Sequence, residues 1–69
     1  MSNAEDLHQR GIAAFQSGQS SEAIDLLGQA IHTGEATAEI YADFGVLNRL
    51  EGDLEAARIY LEVAVDRSS

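Results

Sequence analysis

The sequence predicts an all-α fold made of two similar helix-turn-helix units. Apolar residues recur every three or four positions in four separate segments, which is the spacing of an amphipathic helix. Proline is absent from all 69 residues. The chain also resembles itself when it is shifted by 34 positions, and self-similarity at a period of roughly 20–50 residues is typical of proteins built from stacked repeats.

The repeat is clearest at small residues. Gly11 falls on Gly45, and Gly18 falls on Gly52. Four further pairs match at the same shift: Glu5 with Glu39, Ala23 with Ala57, Leu27 with Leu61, and Ala30 with Ala64. Repeated glycines and alanines at one shift indicate a structural requirement for small side chains.

We expect a single domain over residues 1–69, with repeat one at 4–37 and repeat two at 38–69. A chain of this length buries only about 60% of the surface that its unfolded form exposes, so its stability is marginal. Cysteine is absent, which excludes disulfides and thiolate metal sites. We therefore expect stabilisation by a partner subunit or by attachment to a longer chain.

Four antiparallel helices are expected, near residues 4–17, 20–33, 38–51 and 54–67. Ser20 or Ser21, Thr37 and Asp53 are candidate N-caps, because their side chains can accept hydrogen bonds from the free N–H groups of a helix start. Gly34 suits the left-handed position that follows a helix. The apolar stripe of the fourth helix is expected to consist of Leu54, Ala57, Leu61, Ala64 and Val65.

Two of the repeated glycines lie in the middle of predicted helices. A glycine there costs about 1 kcal/mol relative to alanine, so another interaction must offset the cost at Gly11 and Gly45. We expect the second helix of each unit to cross the first at these positions, where only a hydrogen atom fits as a side chain.

These residues resemble the tetratricopeptide repeat, a family with a 34-residue period and fixed glycine and alanine positions. The resemblance covers the whole chain and is carried by Leu7, Gly11, Ala23, Leu27 and Ala30 in repeat one and by Tyr41, Gly45, Ala57, Leu61 and Ala64 in repeat two. The chain departs from the family at Arg10, where a large apolar residue is usual, and at Ala14 and Asn48, where an aromatic residue is usual. The family's proline near the end of the unit is also missing, with Glu35 in the first unit.

The resemblance implies a right-handed α-solenoid stack in which the first helix of each pair lines a concave groove for an extended peptide or a helix. The residues expected there are Glu5, His8, Ile12, Phe15 and Gln16 from the first helix, and Glu39, Ala42, Asp43, Val46, Arg49 and Leu50 from the third. An apolar floor with acidic edges suits a neutral or basic segment of a partner protein. One subfamily binds a C-terminal carboxylate of its partner with lysines in this groove. Because this chain has no lysine, we do not expect that mode of binding.

The charge disfavours several classes of partner. Twelve acidic residues against four arginines give a net charge of −8, which repels nucleic-acid phosphates and anionic lipid. No apolar run approaches the roughly 18 residues needed to span a bilayer, and no signal peptide is recognisable. We expect a cytoplasmic location, with the periplasm as the alternative. Ser2, Asn3 and Ala4 fit a native start or a cloning remnant, and no function is assigned to them.

Catalysis is not expected, and neither is a cofactor. No nucleophile–base arrangement or phosphate-binding loop can be built from this sequence. His8 and His32 lack further close ligands, so no metal site is expected; His8 could instead contact a partner or remain a surface histidine. Arg49 could bind an acidic group of a partner, although a local ion pair with Asp53 or Glu51 is favoured.

The fourth helix is expected to pack against something outside the two repeats. Arg58 interrupts its apolar stripe where repeat one has Ile24, and Tyr60 and Val63 are left on faces that a following helix would cover. The alternative is that these three residues are only partly exposed surface residues. The first functional hypothesis is therefore a scaffold that binds a partner in its groove and self-associates as a homo-oligomer. The alternative is a non-catalytic segment of a larger bacterial protein, such as a transferase or a secretion or assembly component, whose activity lies elsewhere.

Overall fold

The fold consists of four helices arranged as two hairpins. A computed structural model describes residues 3–68 of the chain, with α1 at Ala4–Gln16, α2 at Ser20–His32, α3 at Ala38–Leu50 and α4 at Leu54–Ser68. Within each hairpin α1 packs against α2 and α3 against α4, and α2 also packs against α3. The all-α prediction is confirmed, and each helix end lies within one residue of its predicted position.

Two of the predicted caps and the glycine turn are confirmed. The Ile40 backbone N–H donates to the Thr37 hydroxyl at 3.3 Å, and the Ala56 N–H donates to a carboxylate oxygen of Asp53 at 3.2 Å. Gly34 has a φ of 80°, the left-handed conformation that non-glycine residues rarely adopt. The turn that precedes α3 and the turn that precedes α4 are therefore fixed by local sequence.

The cap predicted for α2 is wrong. Its N-cap is Gln19, which makes no capping bond with its side chain. Ser20 is already the first helical residue, and its hydroxyl donates instead to a carboxylate oxygen of Glu51 at 3.0 Å. The serine therefore connects the start of α2 to the end of α3.

The helix α1 has a cap that the sequence did not predict. The Asp6 N–H donates to Oδ1 of Asn3 at 2.7 Å, so Asn3 is part of the folded domain. Ser2, which was considered together with it, lies outside the described residues.

The close helix crossings at the two mid-helix glycines are confirmed. A Cβ atom added at Gly45 would lie 2.8 Å from Cγ of Leu61 and 3.2 Å from the carbonyl oxygen of Ala57. At Gly11 the corresponding distance to Cγ of Leu27 is 3.2 Å. Both contacts are tighter than ordinary van der Waals packing, so each hairpin depends on the absence of a side chain at its crossing.

The core is concentrated in repeat one and α3. Its central residue is Leu27, whose side chain is fully buried. The other buried apolar residues of this cluster are Ala4, Leu7, Ala14, Ala23, Leu26, Ala30, Ala36, Ile40 and Leu47. The side chains of Ile24, Ile31, Tyr41 and Phe44 are partly buried against it.

The predicted apolar stripe of α4 is only half covered. Ala57 and Ala64 are buried against α3, but Leu54 is 67% exposed and Val65 is 65% exposed. Within residues 3–68 no element packs on that side of α4, so these two residues of the predicted stripe remain exposed. The molecule is accordingly thin, with extents of 28 × 28 × 15 Å.

We expect Gly45→Ala to lower the free energy of unfolding by about 1–3 kcal/mol, because the added methyl group meets both a side chain and rigid backbone. Gly28→Ala is the matched control: its Cβ would lie 3.9 Å from Phe44, an ordinary contact, so helix propensity should stabilise the protein by up to about 1 kcal/mol. Urea unfolding of both variants measures the difference. A stabilised Gly45→Ala variant would contradict the crossing.

Candidate interaction surface

The first helices of the two repeats are joined by one polar contact. Nε2 of His8 on α1 donates a hydrogen bond to Oδ2 of Asp43 on α3 at 2.6 Å. The histidine side chain is 14% exposed and the aspartate side chain 35% exposed. The contact therefore places α1 and α3 side by side at the edge of a common surface.

Apolar residues follow this contact along both helices. Residues three, four and seven positions apart share a helix face, so Ile12 and Phe15 continue the face of His8, and Val46 and Leu50 continue the face of Asp43. Phe15 is 40%, Val46 47% and Leu50 61% exposed, whereas Ile12 is partly buried. We call the surface formed by His8, Ile12, Phe15, Asp43, Val46 and Leu50 the α1/α3 surface.

One end of the α1/α3 surface is acidic. A cleft of about 370 Å³ lies there between the start of α1 and the loop that leads into α3. Its lining residues are Asn3, Ala4, Glu5, His8, Glu35, Thr37, Glu39 and Ile40. Three carboxylates beside one imidazole make this cleft a place for a positively charged group.

Five of the eight cleft residues are not among those expected to line the groove: Asn3, Ala4, Glu35, Thr37 and Ile40. Glu35 lies in the loop between α2 and α3, outside both helices that were expected to line the groove. Asn3 lies directly before α1. Asn3 falls on Thr37 at the 34-residue shift, and both cap the helix that follows, so the repeat itself indicates Asn3. Glu35 has no described counterpart at that shift.

Three side chains at this end have the chemistry of metal ligands. One ligand atom from each of His8, Glu39 and Asp43 lies within 4.8 Å of the others, and a histidine with two carboxylates could hold a divalent cation. The expectation that no metal site forms rests on the two histidines, and the sequence alone does not show that α3 brings two carboxylates to His8. The direct hydrogen bond between His8 and Asp43 accounts for their proximity without an ion.

The remaining predicted groove residues are distributed around this surface. Glu5, Gln16 and Glu39 are exposed, and Ala42 is partly buried. Arg49 is exposed and lines a separate depression beside α4.

The ion pair expected for Arg49 is not formed. Glu51 accepts a hydrogen bond from Ser20, and Asp53 caps α4. Among residues 3–68, Arg49 forms no ion pair with either of these carboxylates. Both carboxylates expected to pair with Arg49 therefore bind elsewhere: Asp53 caps α4, and Glu51 connects the two repeats.

A second exposed surface lies along α4. A depression of about 630 Å³ is lined by Arg49, Leu54, Ala57, Arg58, Leu61, Glu62, Val65 and Asp66. An adjacent one of about 390 Å³ is lined by Ala38, Glu39, Ala42, Leu61, Ala64, Val65 and Ser68. Leu61 and Val65 line both, so the two depressions lie next to each other along α4. We call Leu54, Arg58, Leu61, Glu62 and Val65 the α4 face.

The three residues expected to mediate self-association lie in three different environments. Arg58 belongs to the α4 face, where its guanidinium lies 3.8 Å from a carboxylate oxygen of Glu62. Tyr60 instead packs within the chain, with its ring centroid 4.7 Å from that of Phe44 and 6.3 Å from that of Tyr41. Val63 is partly buried and does not line either depression.

Comparisons with known proteins add no family to these observations. No protein-family model, no curated protein and no solved structure matches the chain. In the described part of the chain no helix is long and apolar enough to cross a membrane.

We expect His8→Ala and Asp43→Ala each to lower the free energy of unfolding by about 1 kcal/mol, the net contribution of a partly solvated charge-assisted hydrogen bond. The double variant should lower the free energy of unfolding by less than the sum of the two single effects, because each single change removes the same contact. Urea unfolding measures all three.

The control is His32→Ala, which changes an exposed histidine at the end of α2 and should alter stability by less than about 0.5 kcal/mol. Strictly additive costs at His8 and Asp43 would show that the two side chains are not coupled in solution.

Proposed function

We propose that this chain is a protein-interaction module that binds a helical or extended segment of a partner protein on the α1/α3 surface. The observation that carries the proposal is the contact between His8 and Asp43, which puts the faces of two helices side by side. Along those faces lie the exposed apolar side chains of Phe15, Val46 and Leu50.

The exposed apolar residues support a binding role. The described residues include six large, exposed apolar side chains: Phe15, Val46, Leu50, Leu54, Ile59 and Val65. Three of them lie on the α1/α3 surface and two on the α4 face. Contiguous apolar patches on a small protein mark interaction sites, and covering them contributes about 25 cal/mol for each Å² removed from water.

The charge distribution indicates the chemistry of the partner segment. The cleft with Glu5, Glu35 and Glu39 lies at one end of the α1/α3 surface, beyond its apolar part. A partner with apolar side chains followed by lysine or arginine would match both regions. The net charge of −8 would also accelerate the association of a basic segment and repel nucleic acid and anionic membranes.

The two hairpins fit the tetratricopeptide type of repeat, and we propose a non-catalytic role in the cytoplasm, with the periplasm as the alternative. The crossings at Gly11 and Gly45 support this assignment, because they explain why the glycine positions of the pattern recur. The same surface would serve a free-standing scaffold or a segment of a larger protein whose activity lies elsewhere. Self-association as a homodimer is a separate proposal and concerns the α4 face.

The test is selection of peptides from a random library on the immobilised chain. We expect recovered peptides to combine large apolar residues with lysine or arginine. Val46→Asp together with Phe15→Ala should weaken their binding at least about tenfold, because it removes apolar contact and adds a buried charge.

Ile59→Asp is the matched control, because Ile59 is 46% exposed against 47% for Val46 but lies outside both surfaces. Fluorescence titration with one selected peptide gives the dissociation constants. Equal affinities for the wild type and the Phe15/Val46 variant would show that the α1/α3 surface is not the binding site.

A further inference from the structure

Comparison of the two repeats shows that the α4 face lacks a covering helix. In repeat one, α3 packs on α2, where Leu27 is fully buried and Ile31 is partly buried against the core. Their counterparts in repeat two are Leu61, which is partly exposed, and Val65, which is 65% exposed. The α4 face is thus equivalent to a surface that a helix covers elsewhere in the same molecule.

The α4 face is nevertheless not a copy of that surface. Gly28 on α2 leaves room for the ring of Phe44, which would lie 3.9 Å from a Cβ atom at that position. The counterpart of Gly28 is Glu62, and the counterpart of Ile24 is Arg58. A helix resembling α3 would meet a long charged side chain where its aromatic ring has to fit.

Head-to-tail stacking of two copies is disfavoured for a related reason. It would place α1 of one copy on α4 of another, in the position that α3 takes on α2. The residues of α1 that correspond to Ile40 and Phe44 are Asp6 and Arg10. These two side chains are exposed and lie 3.7 Å apart as an ion pair, so α1 offers no apolar ridge to the α4 face.

We propose that the α4 face binds the α4 face of a second copy of this chain, with the two α4 helices antiparallel about a two-fold axis. The proposal gives a surface and an orientation to the proposed self-association. It does not depend on partner binding, because the α4 face and the α1/α3 surface share no residue.

The charges on the α4 face are self-complementary in this orientation. In a two-fold contact, residue i of one copy meets residue j of the other, and j meets i. Arg58 and Glu62 are one helical turn apart and equally exposed, at 68% each. An antiparallel arrangement sets Arg58 of each copy against Glu62 of the other, whereas a parallel one brings like charges to the same level.

The apolar residues supply the attraction, and the charges supply the orientation. Leu54, Leu61 and Val65 lie along α4 at helical spacing, so a second helix alongside removes all three from water. Exposed ion pairs contribute little by themselves. The net charge of −8 on each copy opposes association, but at about 0.15 M salt the repulsion is screened beyond about 8 Å.

The first experiment is sedimentation equilibrium over a range of protein concentrations at about 0.15 M salt. We expect the wild type to reach twice the chain mass of 7.4 kDa. Val65→Asp should weaken dimerisation at least about tenfold, because it buries a charge in an apolar contact. Val46→Asp, at an exposed position on the α1/α3 surface, should leave the dimer intact.

The second experiment exchanges charges. Arg58→Glu alone brings two glutamates together at each contact between the copies, and Glu62→Arg alone brings two arginines together, so each variant should dimerise more weakly than the wild type. An equimolar mixture of the two variants restores opposite charges and should form a heterodimer more tightly than either variant forms its own dimer. Circular dichroism confirms that each variant keeps its helices.

Three outcomes would overturn the proposal: a wild type that is monomeric at every concentration, a dimer that Val46→Asp disrupts and Val65→Asp does not, or a mixture that associates no better than its components. The first and third outcomes leave peptide binding at the α1/α3 surface untouched, whereas disruption by Val46→Asp would place the dimer contact on that surface.

Discussion

The close crossing of two helices at a glycine is the contact on which each hairpin depends. At Gly45 the side chain of Leu61 occupies the space that a Cβ atom would need, and the backbone of the fourth helix lies directly behind it. This proximity buries Ala57 and Ala64 against α3. Because backbone cannot move aside as a flexible side chain can, the crossing tolerates little change. The equivalent contact at Gly11 fixes the first hairpin in the same way.

Stacking of the hairpins then makes the two repeats unequal. Repeat one is covered by α3, which completes the core around Leu27, whereas the equivalent side of α4 remains open. Contacts between the repeats are both apolar, as at Gly28 and Phe44, and polar, as between His8 and Asp43. Two units of similar sequence therefore have different roles: one supplies most of the core, and the other presents apolar side chains at the surface.

The two exposed surfaces differ in chemistry and suit different partners. The α1/α3 surface carries apolar side chains and has an acidic cleft at one end. No arginine is among the residues that define this surface or line the cleft, so the surface suits a basic segment. The α4 face carries one positive and one negative side chain between apolar ones, so it suits a surface like itself. A module with both could bring two copies of a bound segment together. The avidity of such an arrangement depends on geometry rather than on new contacts.

The sequence by itself determined the four helices, their ends, two of the caps and the glycine crossings, because these depend on local periodicity and on small residues that recur at a fixed distance. The tertiary structure alone decided which apolar faces are covered. The spacing of Leu54 and Val65 predicts an apolar stripe, but burial requires a neighbouring element, and spacing carries no information about one. The same holds for contacts between distant residues. His8 reaches Asp43, and Ser20 leaves its expected cap for Glu51, because stacking brings together side chains that lie more than thirty residues apart.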